Sequence, residues 1–200
     1  MTLPTVVRVF FAIDLSPATK KEVEIVINGL KKRAKSNGIR WTKPENLHIT
    51  LQFLGAAKSM DIPNLLESVR SELMGKTMQT EVKLENLQLF PNPYRPRVIV
   101  LNVKPQAGLI ELSRLIGQGM QALGYELESR PFRGHLTLGR IKYARGIDLD
   151  FLSEYQVPEI DKIEIKEVVL FRSEPQPEGS QYTVLDKIGL IWGLTPSLIN

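Results

Sequence analysis

Apolar residues in this chain come in short runs that alternate or stay continuous, broken by stretches where they recur every three or four positions. Val7–Leu15 is the first run, interrupted by Arg8 and Asp14, and it predicts a largely buried strand. Ser16-Pro17 then supplies a helix N-cap and a first-turn proline. Val23, Val26, Ile27, Leu30 and Ala34 follow at helical spacing, with Gly38 placed to end the helix. A short strand at Ile39–Thr42 precedes LHITLQFL at Leu47–Leu54, which alternates as a strand with one wet face does. Asp61 and Pro63 open a second helix carrying Leu65, Leu66, Val69 and Leu73, closed by Gly75. A strand through Val82–Phe90 leads into the turn-rich PNPYRPR.

The second half runs in the same order. Arg97–Val103 predicts a strand, and Pro105 opens a helix bearing Leu109, Leu112, Ile116, Met120 and Leu123, ended by Gly124. Strands follow at Tyr125–Arg130 and His135–Ile141, then a short helix capped by Asp148 with Leu149 and Leu152. A long strand at Ile163–Phe171, the loop SEPQPEGS and a strand at Gln181–Lys187 complete the reading. The halves keep step: His48 and His135 lie 87 positions apart, as do Asp61 and Asp148, while Gly38 and Gly124 lie 86 apart. The expected fold is α+β, one bilobal domain over 1–200. Its two pseudo-symmetric lobes, roughly 7–90 and 96–188, are mainly antiparallel sheet with outer helices and an active-site cleft between them.

Composition narrows the chemistry. The 200 residues are 42% hydrophobic and 24% charged, as in a folded globular chain. A net charge of +4 favours an anionic partner. Cysteine is absent, which removes disulfides, thiolate metal sites and cysteine nucleophiles. The run at 6–15 is too short for a membrane span and lacks a cleavage pattern, and glycines and a proline break the apolar C-terminal IGLIWGLTPSLIN. The expectation is a cytoplasmic monomer with no membrane contact and no protein partner.

Only two histidines are present, and both begin the same word: His48-Ile49-Thr50-Leu51 and His135-Leu136-Thr137-Leu138. Strict strand alternation sets His48, Thr50 and Gln52 on one face, with Leu47, Ile49, Leu51 and Phe53 on the other. The same parity pairs His135 with Thr137. Two related lobes bring an imidazole and a hydroxyl to each side of one cleft. One neutral imidazole acting as base and one protonated imidazole acting as acid suit a phosphodiester, with threonine hydroxyls donating to the phosphate oxygens. Water serves as nucleophile, so the scheme asks for no metal and no cofactor.

The chain resembles the two-histidine (2H) phosphoesterase superfamily, most closely the RNA 2′,3′-cyclic phosphodiesterases historically called 2′-5′ RNA ligases. RVFFAIDL, RWTKPENLHITLQFLG, FPNPYRPRVIV, SRPFRGHLTLGR and VVLFRSEPQPEGSQY carry the likeness, in order, over nearly the whole chain. The resemblance implies His48 as proton donor to the leaving O3′, His135 as the acceptor that activates water, and Thr50 and Thr137 as phosphate holders. The implied partner is RNA with a 2′,3′-cyclic phosphate end, or a small cyclic nucleotide, and the implied product is a 2′-phosphate. Ligation or hydrolysis of linear 2′-5′ linkages, and RNA binding without turnover, are the competing readings.

Weaker candidates surround this pair. The family pattern carries an arginine at Arg140, although strict alternation points it away from His135 unless the strand bulges near Gly139. Arg130 and Arg133 are candidates for a basic rim, Lys43 for attracting phosphate, and Phe10, Phe11, Trp41 and Tyr182 for stacking on a base. Gly134, just before the second word, is a point of local freedom. A glycine-rich phosphate loop is missing, so ATP use finds no support.

Overall fold

A computed structural model describes residues 4–35, 37–76, 81–143 and 147–190, so the C-terminal apolar stretch from Ile191 onward lies outside the described residues. In chain order the elements are β1 (Val6–Asp14), α1 (Pro17–Arg33), β2 (Ile39–Trp41), β3 (His48–Lys58), α2 (Ile62–Leu73), β4 (Glu81–Phe90), β5 (Val98–Lys104), α3 (Ala107–Gln121), β6 (His135–Ile141), β7 (Ile163–Glu164), β8 (Glu167–Gln176) and β9 (Gly179–Gly189). The nine strands form one sheet in the order β7-β4-β5-β6-β3-β1-β8-β9, with β2 also on β6, and the pairings are antiparallel.

Alternation separates the two faces of this sheet. Phe11, Ile13, Ile49, Leu51, Leu101 and Leu136 join Val23 and Ile27 of α1, Leu65 and Val69 of α2, and Leu109 and Leu112 of α3 in one core. Each such side chain contributes roughly 1.5–3 kcal/mol of burial. Phe10, Ala12, Val169 and Phe171 form a separate cluster with Tyr182. The helices therefore cover one face, and the other stays open around that smaller cluster. Gly119 of α3 lets α2 approach closely, since a Cβ there would stand 2.8 Å from the Val69 backbone.

The sheet is weakest at its middle. β3 and β6 share a single bridging pair, Ile49↔Leu136, before β2 takes over the remainder of β6 at Ile39↔Ile141 through Trp41↔Gly139. Strands also cross between the two halves of the sheet: β4 from the first half of the chain pairs with β5, and β8 from the second half pairs with β1.

Several sequence expectations shift. Helix α1 begins as its cap predicts, with the Ser16 hydroxyl accepting from the Thr19 N–H at 3.1 Å, but it stops at Arg33, and Gly38 sits in the turn before β2. Asp61 precedes α2 without a side-chain cap bond. Residues 125–130 form no strand, because β6 already has β5 on one side and β2 and β3 on the other, and Leu127 instead fills the space beside Gly117 of α3. The Asp148 carboxylate does accept from Asp150 N–H, but only a single 3-10 turn follows. Ile163–Phe171 is two strands, one serving each half of the sheet. SEPQPEGS is mostly ladder: Gln176 pairs with Gly179, leaving Pro177-Glu178 as the turn, and Pro175 lies beyond the stretch of β8 that meets β1. Among the described residues no helix is long and apolar enough to cross a membrane.

Candidate active site

His48 and His135 are the first residues of β3 and β6, at the point where the two halves of the sheet touch. Continuing the Ile49↔Leu136 register by one residue sets His48 opposite Thr137 and Thr50 opposite His135. The histidines are then diagonal neighbours across that junction. Both rings, both threonines and Arg140 line one cavity of about 160 Å³, together with Thr42, Asn46, Val98 and Tyr182.

The same local device orients each ring. His48 Nδ1 lies 2.7 Å from the carbonyl of Asn46, and His135 Nδ1 lies 2.8 Å from that of Arg133, two residues back in each case. A carbonyl only accepts, so each Nδ1 carries a proton and the neutral ring offers a bare Nε2. Thr50 Oγ1 stands 3.0 Å from His48 Nε2. Aromatic rings back both imidazoles. Phe10 lies 4.9 Å from His48 and Tyr182 meets it edge-on at 5.1 Å, while Phe90 stacks on His135 at 4.8 Å.

Electrostatics distinguish the two. Burial pulls His48 down to about 4, against the pull of the Asn46 carbonyl and of the Asp14 carboxylate. Burial also lowers His135, aided by the charges of Arg133 and Arg140 and opposed by the Arg133 carbonyl. At His48 the Asp14 carboxylate favours the cation against Arg140 and Lys20, whereas at His135 the charges of Arg133 and Arg140 both favour the neutral ring.

Bulges correct the parity expected from sequence. In the β1–β3 ladder Phe11 pairs with Gln52 and Ala12 with Thr50, so Leu51 is an extra residue. Gln52 consequently turns to the helix layer, where its Nε2 donates to the carbonyl and hydroxyl of Ser113 at 3.0 Å each, and Phe53 turns to the histidine face beside Phe10. In the β5–β6 ladder Ile99 pairs with Gly139 and Val100 with Thr137, so Leu138 is extra and Arg140 comes round to the cavity. Distant groups hold both bulges. Ser113 Oγ donates to the Leu51 carbonyl at 2.9 Å, and Thr42 N–H donates to the Leu138 carbonyl at 2.8 Å.

The weaker candidates separate. Arg133 lies over the Phe90 ring near His135, whereas Arg130 is exposed and paired with Glu128. Lys43 pairs with Glu178 in an adjoining crevice. Phe11 is core, Phe10 is buried behind His48, and Trp41 packs over Gly139. Gly134 is clamped rather than free: its N–H donates to Gln106 Oε1 and its carbonyl accepts from Gln106 Nε2, each at 2.9 Å. Sequence reasoning passed over Asp14, Thr42, Asn46, Phe90, Gln106 and Phe171. Asn46 and Arg133 share one available signal, standing two residues before each histidine.

A family model described as LigT-like phosphoesterase matches residues 13–100. The chain is similar to a protein of Archaeoglobus fulgidus named RNA 2′,3′-cyclic phosphodiesterase, 30% identical over 176 residues, spanning 88% of this chain and 96% of the relative. A protein of the same name from Methanothermobacter thermautotrophicus is 31% identical over 182 residues, or 90% and 97% of the two chains. Among solved structures, one from Thermus thermophilus matches with a TM-score of 0.74 at 25% identity, covering 92% of this chain and 97% of that one. E. coli LigT complexed with 3′-AMP matches in fold with a TM-score of 0.71 at 24% identity, covering 92% and 98%.

Proposed function

This chain belongs to the LigT-like phosphoesterases, as an enzyme of the RNA 2′,3′-cyclic phosphodiesterase class, and from that membership we propose that it opens RNA 2′,3′-cyclic phosphate ends to 2′-phosphates by proton transfer through two imidazoles. The observation that carries the reading is the pair of bare Nε2 atoms, each fixed by an Nδ1–H bond to a backbone carbonyl, in one cavity with two threonines and an arginine.

The cyclic phosphate sits between the rings, its non-bridging oxygens accepting from the Thr50 and Thr137 hydroxyls and facing Arg140. His135 Nε2 takes a proton from water as the water oxygen bonds to phosphorus. The P–O3′ bond breaks in line with that attack, and His48 Nε2–H gives its proton to O3′. The products are a 2′-phosphate and a 3′-hydroxyl, and exchange with solvent restores both rings. Of the nearby charges, Asp14 favours the cation at the acid and Arg133 favours the neutral ring at the base, while Arg140 depresses both rings. The bound phosphate supplies the negative charge that brings His48 to its cationic form.

Product analysis on a short RNA bearing a 2′,3′-cyclic phosphate tests the proposal. A 2′-phosphate supports it, and a 3′-phosphate exchanges the leaving group. Joining to a 5′-hydroxyl RNA would establish the ligase reading, and binding without turnover would reduce the site to RNA recognition. Full activity in excess chelator is the outcome expected for proton transfer by imidazoles alone.

A further inference from the structure

β2 meets β6 in the register Ile39↔Ile141, Arg40↔Arg140 and Trp41↔Gly139, so Arg40 and Arg140 lie directly opposite each other. Residues paired in this way share a face of the sheet. Ile39 and Trp41 both pack at Gly139 on the core side, which leaves Arg40 to the other face, that of the histidines. Thr42, two residues further along, lines the histidine cavity beside Arg140, in keeping with that facing. Both arginines are exposed, and among the described residues neither pairs with a carboxylate.

Like charges set directly across a ladder destabilise it. An anion between two such guanidinium groups replaces their repulsion with charge-assisted hydrogen bonds. Arg140 already faces the phosphate in the cavity, and Arg40 stands beside it without lining that cavity. The cavity, at about 160 Å³, is below the roughly 300–1,000 Å³ that ligand pockets occupy. It takes the cyclic phosphate and leaves the rest of the RNA outside, including the next phosphate, on the 5′ oxygen of the terminal nucleotide. Arg40 is displaced from Arg140 by one strand spacing, about 5 Å. Successive phosphates of one nucleic-acid strand advance by about 3.4 Å along a helix axis, and by more when the strand is extended. The two arginines are thus spaced on the scale of two neighbouring phosphates.

We propose that Arg40, together with Arg140, holds a second phosphate of the substrate, the one on the 5′ oxygen of the terminal nucleotide. The enzyme then favours an RNA end, or a 5′-phosphorylated nucleotide, over a nucleoside 2′,3′-cyclic phosphate that lacks this group. The planar donors of guanidinium suit a phosphate. A contact of this kind fixes the register of the RNA backbone and is indifferent to the base.

The inference rests on the proposed reaction, and three substrates separate the two: a nucleoside 2′,3′-cyclic phosphate, its 5′-phosphorylated form, and a dinucleotide ending in the cyclic phosphate. Wild type should turn over the second and third with a kcat/KM roughly tenfold or more above the first, the scale of one hydrogen bond to a charged group. Arg40→Gln should bring both down toward the first, mainly through KM. It should leave the first near its wild-type rate, which also shows that the variant is folded. Arg40→Lys, which keeps the charge, should retain part of the preference. A plot of log KM against log salt for the dinucleotide should lose about 0.7 of its slope in Arg40→Gln, the worth of one single-strand phosphate contact. Equal wild-type rates on all three substrates, or equal losses by Arg40→Gln on all three, overturn the second-phosphate site and leave the reaction standing. A gain for the dinucleotide without one for the 5′-phosphorylated form assigns the preference to the added nucleoside and overturns the site as well. A wild type that cleaves none of the three overturns the reaction. The site is then read from the binding of a 5′-phosphorylated RNA, where an unchanged Kd in Arg40→Gln overturns it.

Discussion

Asp14 lies directly across the β1–β3 ladder from His48, and Lys20 holds its carboxylate at 2.7 Å. The carboxylate favours the imidazolium form of His48, while Lys20 disfavours it. Asp14→Asn removes the favourable charge and leaves the lysine, so fewer His48 rings carry a proton at any given pH. A drop in kcat/KM of about three- to tenfold on a cyclic-phosphate RNA is expected, the scale of up to one pKa unit. The drop should be larger at high pH and nearly vanish with a nitrophenyl leaving group. A uniform loss on both substrates would show that Asp14 acts on packing rather than on the proton.

Replacing either histidine by alanine should slow cleavage of the RNA substrate by roughly a hundred- to ten-thousandfold. The variants diverge on a nitrophenyl phosphodiester, whose leaving group needs no proton. His48→Ala should recover most of its rate there, and His135→Ala should stay slow because water remains unactivated. The opposite pattern exchanges the roles of acid and base.

Ser113→Ala tests what holds the first bulge. It strips the Leu51 carbonyl of its donor and the Gln52 amide of one acceptor, both beneath the site. Unsatisfied buried groups of this kind cost about 1–3 kcal/mol. For a chain of this size that is a Tm lower by roughly 2–12 °C, readable by calorimetry. Arg140→Gln, which leaves the bulges intact, should raise KM without such a shift in Tm.

These bulges mark where the sequence stops being readable. The duplicated words, their period and the amphipathic stretches identify the histidine strands, the three helices and the convergence of both histidines, because each is a local pattern with one geometric reading. The facing of Gln52, Phe53 and Arg140 depends on an extra residue in each ladder, held by Ser113 and Thr42 from elsewhere in the chain. Strict alternation misplaces Gln52 and Phe53 for that reason, and leaves Arg140 dependent on a bulge it cannot locate. SEPQPEGS reads as a loop from its prolines and glycine, yet β9 offers it a ladder. Phe90 and Phe171 reach the histidines only through strand crossings between halves, which no local window contains.

The pH dependence tests the electrostatic account of the site. In the free protein the active state needs His135 neutral and His48 protonated. The first condition makes kcat/KM rise with pH through the value of His135, which burial and two guanidinium groups hold below 6.5. The second makes it fall as pH climbs past the value of His48, about 4. Both limbs therefore lie on the acid side, and the bell for kcat/KM should peak well below pH 6.5, with limbs belonging to the coupled pair. Bound phosphate carries a negative charge that favours both cations, so in the complex both limbs move up, and the bell for kcat should lie alkaline of that for kcat/KM. Arg140→Gln removes a charge that depresses both rings, and should move the kcat/KM bell toward higher pH while raising KM. Coincident bells centred above pH 7 would mean that the cavity is wetter than its burial indicates and that the bound phosphate does not set the protonation of His48.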